Sequence, residues 1–137
     1  DETTGLPNRR ALEEHAGRLP AAQQLAVVFV DLDGFKAVND RLGHAIGDDV
    51  LREVGRRIQA SVREGDLVAR WGGDEFVVVC GAEAARVPVA LAERVRRAIA
   101  EPYPFLADDL RLRASIGVAV GDGPPSIDRL LRAADQA

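Results

Sequence analysis

Two glycines between two β-prone apolar segments constrain the fold of this chain more than any other feature. The segment Leu67-Val68-Ala69 lies before Gly72 and Gly73, and Phe76-Val77-Val78-Val79-Cys80 lies after them. Glycine adopts positive φ without steric cost, and the two-residue turns that match the twist of a hairpin need positive φ. The pattern therefore predicts a tight β-hairpin with Gly72 and Gly73 in its turn.

Two acidic residues, Asp74 and Glu75, follow the glycines at the point where the chain should re-enter the sheet. Successive residues of a strand point to opposite faces, so we expect these two carboxylates on opposite sides of the hairpin. Carboxylates can hold a hard cation such as Mg²⁺, and a cation at this turn would attract an anionic ligand. A plain solvated turn is the alternative interpretation, and other segments must decide between the two.

Length and composition restrict the class of protein. The chain has 137 residues, enough for one domain with a real core and too few for two. A net charge of -4 argues against a surface that coats nucleic acid. The single cysteine, Cys80, excludes an internal disulfide and is expected to be a buried thiol. Neither a bilayer-spanning run nor a signal peptide is visible. We therefore expect a soluble, cytoplasmic domain without direct membrane contact, whose parent protein can still be membrane-anchored.

A second candidate for ligand binding follows the most apolar segment. The near-continuous apolar run over 25–30 predicts a central strand that is covered on both faces. It leads into Asp31-Leu32-Asp33, in which the two aspartates share one face of the strand. Gly34 then permits a turn into a short helix over 35–42, whose first amides would attract phosphate. Alternatively, Asp33 caps this helix and the Asp-Gly pair is only a turn.

Periodicity places the remaining elements. Apolar residues at helical spacing predict four further helices: one over 8–18 that starts at Pro7, one after a loop at 43–49, one over 84–100 and one from Ser126 onward. The second of these has Asp48 or Asp49 as its possible N-cap. The third is expected to bury Val89, Ala92, Val95 and Ile99. Alternation predicts a long strand over 110–120. The last helical pattern still runs at Ala137, so we expect one domain of a longer protein.

The order of these elements indicates the fold class. The strand–helix–hairpin–helix–strand portion is the split pattern of ferredoxin-like folds, which are α+β with helices packed on an antiparallel-rich sheet. In this arrangement the first strand and the hairpin are neighbours. Asp31, Asp74 and Glu75 would then converge on one edge of the sheet. That convergence favours a metal site over a solvated turn.

With these residues in view, the chain resembles the GGDEF family, the diguanylate cyclase domains of bacteria. The signature is intact at Gly72-Gly73-Asp74-Glu75-Phe76, with Arg70 ahead of it. The resemblance runs along nearly the whole chain, and its further matching segments are Thr4-Gly5-Leu6-Pro7-Asn8-Arg9, Asp31-Leu32-Asp33-Gly34-Phe35-Lys36, Asn39-Asp40, Gly43-His44, Gly47-Asp48, Ala92-Glu93-Arg94, Ser115-Ile116-Gly117-Val118-Ala119 and Ala133-Ala134-Asp135. It implies a nucleotidyl-cyclase-like sheet whose last helix and closing strand are truncated in this chain.

The resemblance also implies a reaction, in which two GTP molecules condense to cyclic di-GMP and two pyrophosphates. Two protomers of a homodimer would meet face to face, and each 3′-hydroxyl would attack the α-phosphate held by the other protomer. Asp31, the Leu32 carbonyl and Asp74 would bind Mg²⁺ or Mn²⁺, and Glu75 would be a further ligand or help to deprotonate the hydroxyl. The implied substrate-binding residues are Gly34, Phe35 and Lys36 for the phosphates, Asn39 and Asp48 for guanine, and His44, Gly72 and Gly73.

An inhibitory site is implied as well. Arg63 and Asp66 match the family's site for allosteric inhibition by the product cyclic di-GMP, and Arg94 is a possible secondary contact. Arginine can hold phosphate or guanine in a fork. The residues alone favour a simpler role for Arg63, as a cation at a helix C-terminus.

The sequence departs from the family pattern at two points, and two alternative functions stay open. Thr3 stands where the family usually has leucine, and the chain ends before a Lys and an Arg that help to bind the triphosphate, so the resemblance implies weak activity for the isolated fragment. The first alternative is a catalytically silent GTP-binding domain that regulates an attached cyclic di-GMP phosphodiesterase. The second is a cyclic di-GMP receptor that uses only Arg63 and Asp66. Sensory or phosphodiesterase domains are the expected neighbours in the parent chain.

Overall fold

The computed structural model describes residues 1–19, 24–81, 86–107, 109–122 and 127–136. Within these ranges nine elements follow one another in the predicted order: α1 (Arg9–Gly17), β1 (Gln24–Asp33), α2 (Phe35–Leu42), α3 (His44–Ser61), β2 (Leu67–Arg70), β3 (Glu75–Gly81), α4 (Arg86–Ala100), β4 (Arg113–Asp122) and α5 (Ile127–Gln136). The predicted starts of the last two helices, at Ala84 and Ser126, lie outside the described residues. No helix within the described ranges is long and apolar enough to cross a bilayer.

The four strands form one antiparallel sheet in the order β2-β3-β1-β4. The central strand β1 therefore pairs with the second strand of the hairpin on one side and with β4 on the other. This arrangement confirms the predicted α+β class and the predicted contact between the first strand and the hairpin. It brings the end of β1 and the starts of β3 and β4 to the same edge of the sheet.

Helices cover both faces of the sheet, because β1 is apolar on both. Ala26, Val28 and Val30 of β1 belong to a core cluster with α2, α3 and α4. The alternate residues Leu25, Val27 and Phe29 belong to a second cluster with α1 and α5. A strand buried on both faces cannot alternate between apolar and polar residues, which explains its continuous apolar run.

Helices α1 and α3 begin at residues that differ from the prediction, whereas α2 spans Phe35–Leu42 as predicted. The N-cap of α1 is Asn8, whose Oδ1 accepts a hydrogen bond from the Ala11 amide at 2.9 Å, so Pro7 precedes the cap. The predicted loop over 43–49 is wrong, since α3 begins at His44. Gly43, with a φ of 88°, separates α2 from α3 on its own. Asp48 and Asp49 consequently lie inside α3 and neither is its N-cap.

Two further expectations about side-chain environment and strand length are corrected. Val89 is 62% exposed, because the buried stripe of α4 runs through Leu91, Val95 and Ile99 instead. The last strand begins at Arg113, three residues later than the alternating pattern predicts. The buried Leu112 belongs to the first core cluster although it precedes the strand. The alternating sequence pattern therefore begins three residues before strand pairing does.

Candidate active site

The hairpin loop that carries the signature is longer than a tight turn. Strand β2 ends at Arg70 and β3 begins at Glu75, so four residues connect them. The amides of Trp71 and Gly72 both donate to the Glu75 carbonyl, at 2.8 Å and 3.3 Å. Neither Gly72 nor Gly73 has a left-handed φ, so the predicted two-residue primed turn is wrong. Gly72 serves another purpose, because a Cβ at this position would overlap the Glu75 carboxylate.

Arg70 fixes the conformation of this loop. Its Nε donates to the Gly72 carbonyl at 3.2 Å, and its Nη2 donates to the Gly73 carbonyl at 2.8 Å. Its Nη1 lies 3.2 Å from a carboxylate oxygen of Asp1, in an ion pair whose side chains are both 19% exposed. Because this arginine binds two loop carbonyls and a residue from the start of the chain, the loop is tied to the N-terminal segment.

The predicted acidic residues of β1 and the hairpin lie side by side. Asp31 pairs with Glu75 in the register of β1 and β3. The Leu32 amide donates to the Asp74 carbonyl at 3.0 Å, which extends this pairing by one residue. Since β3 begins at Glu75, Asp74 belongs to the loop and not to the strand. The structure therefore brings Asp31, Asp74 and Glu75 together from positions more than forty residues apart in the sequence.

Partial burial and like charge act together on two of these carboxylates. Partial burial, followed by the charges of Asp74, Asp33 and Asp135, raises the pKa of Asp31. Partial burial also raises the pKa of Glu75, together with Asp31, Asp135 and Asp74, and the nearby Arg9 opposes this effect. Each carboxyl group therefore holds its proton more tightly than it would in water.

Asp135 of α5 is a member of this group that sequence reasoning left without a role. It lines a cavity of about 140 Å³ with Asp31 and Ser115, above Phe29 of the sheet. Its neighbour Ala134 is buried in the second core cluster, which fixes this turn of α5 against β1 and β4. The signal that could have indicated Asp135 was an acidic residue directly after the apolar stripe of an amphipathic helix.

The donor set suits a hard cation. Within the described residues no three His, Cys, Asp or Glu side chains are already gathered into a metal-binding group. Mg²⁺, however, is usually held by one or two carboxylates together with water and substrate phosphates, and not by an all-protein cage. The carboxylates of Asp31 and Asp74 and the carbonyl of Leu32 offer only oxygen. They fit such an ion in type, and their role as metal ligands stays a prediction.

The start of α2 offers amides to an anion. Its N-cap is Gly34, with a φ of 93° and no side-chain capping bond, so the alternative in which Asp33 caps the helix is wrong. The Asp33 carboxylate instead accepts a hydrogen bond from the Ser115 hydroxyl at 2.7 Å. The first amides of a helix have no partner within it, so those of Phe35 and Lys36 can bind a ligand. The Phe35 ring packs in the core while Lys36 is exposed.

The predicted guanine readers lie where α2 and α3 meet. Asn39 packs against Gly47, where a Cβ would overlap its Oδ1 atom. This Oδ1 atom is buried and has no hydrogen-bond partner in the described part of the chain. Asp48 follows Gly47 directly and is half-buried. Exposed His44 lies one turn earlier on α3, and no contact of its side chain supports a binding role.

The predicted inhibitory residues meet at the C-terminal end of α3. Arg63 and Asp66 close a turn in which the Arg63 amide donates to the Asp66 carboxylate at 2.9 Å. The Arg63 side chain is 53% exposed, whereas that of Asp66 is 7% exposed. Arg94 of α4 reaches this end of α3 and donates from Nε to the Ser61 carbonyl at 2.8 Å. Two arginines thus lie on the same side of the domain, away from the acidic group on the opposite face of the sheet.

Comparison with known proteins agrees with this geometry. A family model described as "Diguanylate cyclase, GGDEF domain" matches residues 1–137. The bifunctional diguanylate cyclase/cyclic di-GMP phosphodiesterase MucR of Pseudomonas aeruginosa is 43% identical over 97% of this chain, which spans 20% of MucR. The chain spans about a fifth of the length of MucR and of a second curated relative, a diguanylate cyclase of the same organism.

Solved structures share both fold and sequence. The diguanylate cyclase SiaD of Pseudomonas aeruginosa, crystallised with its activator SiaC, has a TM-score of 0.89 and 34% identity and covers 100% of this chain and 55% of its own. The GGDEF domain of DgcB from Caulobacter crescentus, crystallised with c-di-GMP, has a TM-score of 0.89 and 28% identity, and the match covers 100% of this chain and 85% of that one. On the strength of the family match and these relatives, the chain belongs to the GGDEF family of diguanylate cyclase domains.

Proposed function

We propose that this domain condenses two GTP molecules to cyclic di-GMP and two pyrophosphates, across a homodimer. The observation that carries the proposal is the pairing of Asp31 with Glu75 beside the uncapped start of α2. Carboxylates at the sheet edge where a helix begins with open amides provide for both a cation and a phosphate chain. The diguanylate cyclases among the relatives supply the reaction class.

The start of α2 binds the β- and γ-phosphates in this proposal. The amides of Gly34, Phe35 and Lys36 surround the phosphate oxygens, and the exposed Lys36 adds a positive charge. Asp48 accepts hydrogen bonds from the N1–H and N2–H₂ edge of guanine. Adenine presents no such pair of donors, so the half-buried Asp48 carboxylate would be left unpaired opposite it. The Oδ1 atom of Asn39, which has no partner within the described residues, packs on Gly47 next to Asp48 and provides a second polar contact.

The carboxylates act on the ribose and the α-phosphate. Asp31, Asp74 and the Leu32 carbonyl would hold Mg²⁺ or Mn²⁺, which supplies neutralisation of the charge on the phosphates. Glu75 accepts the proton of the attacking 3′-hydroxyl, and its raised pKa makes it a stronger base than a carboxylate in water. Each domain binds one GTP, so two protomers must face each other to align each hydroxyl with the opposite α-phosphate.

Turnover of GTP tests the proposal. The parent protein, or the domain joined as a dimer, is incubated with GTP and Mg²⁺, and cyclic di-GMP is quantified by chromatography. We expect product from the wild type, a loss of about a hundredfold or more in Glu75→Gln, and none of this loss in Glu14→Gln, which removes an exposed carboxylate of α1. Binding of GTP without any product would favour the regulatory alternative and overturn the enzymatic proposal.

We further propose product inhibition at Arg63, Asp66 and Arg94. The turn places the half-exposed Arg63 near Arg94, and two guanidinium groups can grip guanine edges and phosphates. Calorimetry with cyclic di-GMP should give binding to the wild type and an affinity lower by about tenfold or more in Arg63→Ala, with Arg52→Ala, an exposed arginine of α3, as control. Equal affinity of the wild type and Arg63→Ala would exclude the site.

A further inference from the structure

A cavity of about 450 Å³ lies at the start of β4, beside the acidic group but separate from it. Three arginines, Arg96, Arg111 and Arg113, line it together with one carboxylate, that of Asp33. Apolar side chains such as Leu112 complete its walls. Neither the signature nor the inhibitory turn includes any of these arginines. The proposed reaction therefore leaves the cavity without a role.

The charges of this cavity are only partly neutralised. Arg96 donates to the Glu93 carboxylate, with Nε 3.0 Å from Oε2. Arg111 and Arg113 are exposed, and within the described ranges neither forms an ion pair. Asp33 lies opposite Arg113 in the register of β1 and β4, and one of its oxygens is engaged by Ser115. The cavity thus carries excess positive charge on a chain whose net charge is -4.

One wall of the cavity is continuous with the turn that begins α2. A Cβ at Gly34 would lie 2.8 Å from the Arg111 carbonyl oxygen, so the backbone of residue 111 packs directly on this turn. Asp33, which lines the cavity, directly precedes Gly34. An anion held by Arg111 and Arg113 would consequently lie next to the helix amides that the proposed function assigns to the β- and γ-phosphates.

We propose that this cavity is a second binding site for a polyphosphate group. Arginine forks match the geometry of phosphate oxygens, and two of them that lack carboxylate partners would bind a diphosphate better than a single charge. The inference rests on the proposed function, because that reaction brings two sources of this group to the turn. One source is the pyrophosphate that is released, and the other is the triphosphate tail of a GTP molecule.

Calorimetric titration with sodium pyrophosphate tests the site on the whole chain without turnover. We expect the dissociation constant to rise about tenfold or more in Arg111→Gln/Arg113→Gln and to stay unchanged in Arg52→Gln, an exposed arginine of α3. Arg111→Lys/Arg113→Lys should retain an intermediate affinity, because the charge remains while the fork is lost. Circular dichroism checks that each variant is folded, and the single variants replace the double variant if it is not.

Repeating the titration with a saturating non-hydrolysable GTP analogue separates the two sources. Loss of pyrophosphate binding assigns the site to the GTP tail, and retained binding assigns it to free pyrophosphate. Absence of pyrophosphate binding by the wild type, or equal affinity in the wild type and the glutamine variant, overturns the proposal. Failure of the proposed function has a different signature, namely arginine-dependent pyrophosphate binding by a protein that makes no cyclic di-GMP.

Discussion

Asp31 on β1 lies directly opposite Glu75 on β3, on the face of the sheet that α1 and α5 cover. On this face of the sheet Asp31 follows the buried Phe29 of β1, and Glu75 precedes the buried Val77 of β3. The two carboxylates therefore meet where the core ends and solvent begins. Partial burial raises the pKa of both, and the charge of Asp74 adds to this rise at Asp31, whereas the charge of Asp31 adds to it at Glu75. Such an arrangement lowers the stability of the domain in the absence of a cation. It lies at the edge of the sheet where α2 begins.

Replacing Asp31 with asparagine should stabilise the metal-free domain. At about pH 7 the variant loses a like-charge repulsion that solvent screening limits to about 0.5 kcal/mol, so its melting temperature should rise by about 2 °C. A raised pKa in the folded state means that stability is lost as the pH rises, so the difference should shrink as the pH falls toward about 4. Thermal unfolding in chelator measures the effect.

Asp40→Asn is the matched control for this measurement, because Asp40 is an exposed carboxylate of α2 outside the acidic group. Its melting temperature should equal that of the wild type. A wild type that is as stable as Asp31→Asn at neutral pH would mean that the carboxylates do not repel each other.

Two glycines with left-handed φ should differ in their tolerance of alanine. Gly65, with a φ of 91°, has no atom of the described residues within 4 Å of an added Cβ, so Gly65→Ala should cost about 1 kcal/mol of backbone strain. Gly34, with a φ of 93°, would also press its Cβ against the Arg111 carbonyl at 2.8 Å, and Gly34→Ala should cost about 3 kcal/mol. Urea unfolding measures both, and equal losses would contradict the close approach of residue 111.

Asn39→Ala should weaken GTP binding without lowering the stability of the domain. The Oδ1 atom of Asn39 is buried without a partner, so its removal should leave the free energy of unfolding unchanged or raise it by about 1 kcal/mol. GTP affinity should nevertheless fall about tenfold, because the guanine edge loses a polar contact. Denaturant unfolding and calorimetry measure the two effects, with Asp40→Ala as control. A destabilised variant with normal GTP affinity would make Asn39 a structural residue.

The thiol of Cys80 should be inert in the folded domain. Burial raises its pKa to about 11, and its side chain lies within the first core cluster. A thiol-specific reagent at about pH 8 should label the protein only after urea unfolding, because the reactive thiolate is absent from the native state. Stability should also fall as the pH rises above about 9, since only the unfolded chain then releases the proton. Rapid labelling of the native protein would contradict this burial.

The element order was predictable from sequence because local patterns determine it. The continuous apolar run of β1 indicated a strand covered on both faces, and the structure has core clusters on both. The first and last residues of the helices and strands were harder to predict. A single residue, Gly43, separates α2 from α3, and a loop could not be told from a helix start by composition. Val89 followed the helical spacing but lies 62% exposed, because the neighbouring Leu91 defines the buried stripe.

The candidate site was predictable only in part, because several of its contacts join distant residues. Gly72 and Gly73 suggested a primed turn. Instead, Arg70 holds a longer loop by donating to the carbonyls of both glycines and by pairing with Asp1 at the start of the sequence. Such a contact leaves no periodic signal. Asp135 likewise approaches the acidic group only through the packing of α5 on the sheet.

The most direct measurement of the central claim is a double-mutant cycle on cyclic di-GMP formation, with Asp31→Asn, Glu75→Gln and the two combined. If both carboxylates serve one reaction centre, each single variant should lose about a hundredfold or more in turnover. The double variant should then be only slightly less active than the less active of the two single variants. Turnover close to that of the wild type in either single variant, or losses that multiply in the double variant, would contradict a shared centre.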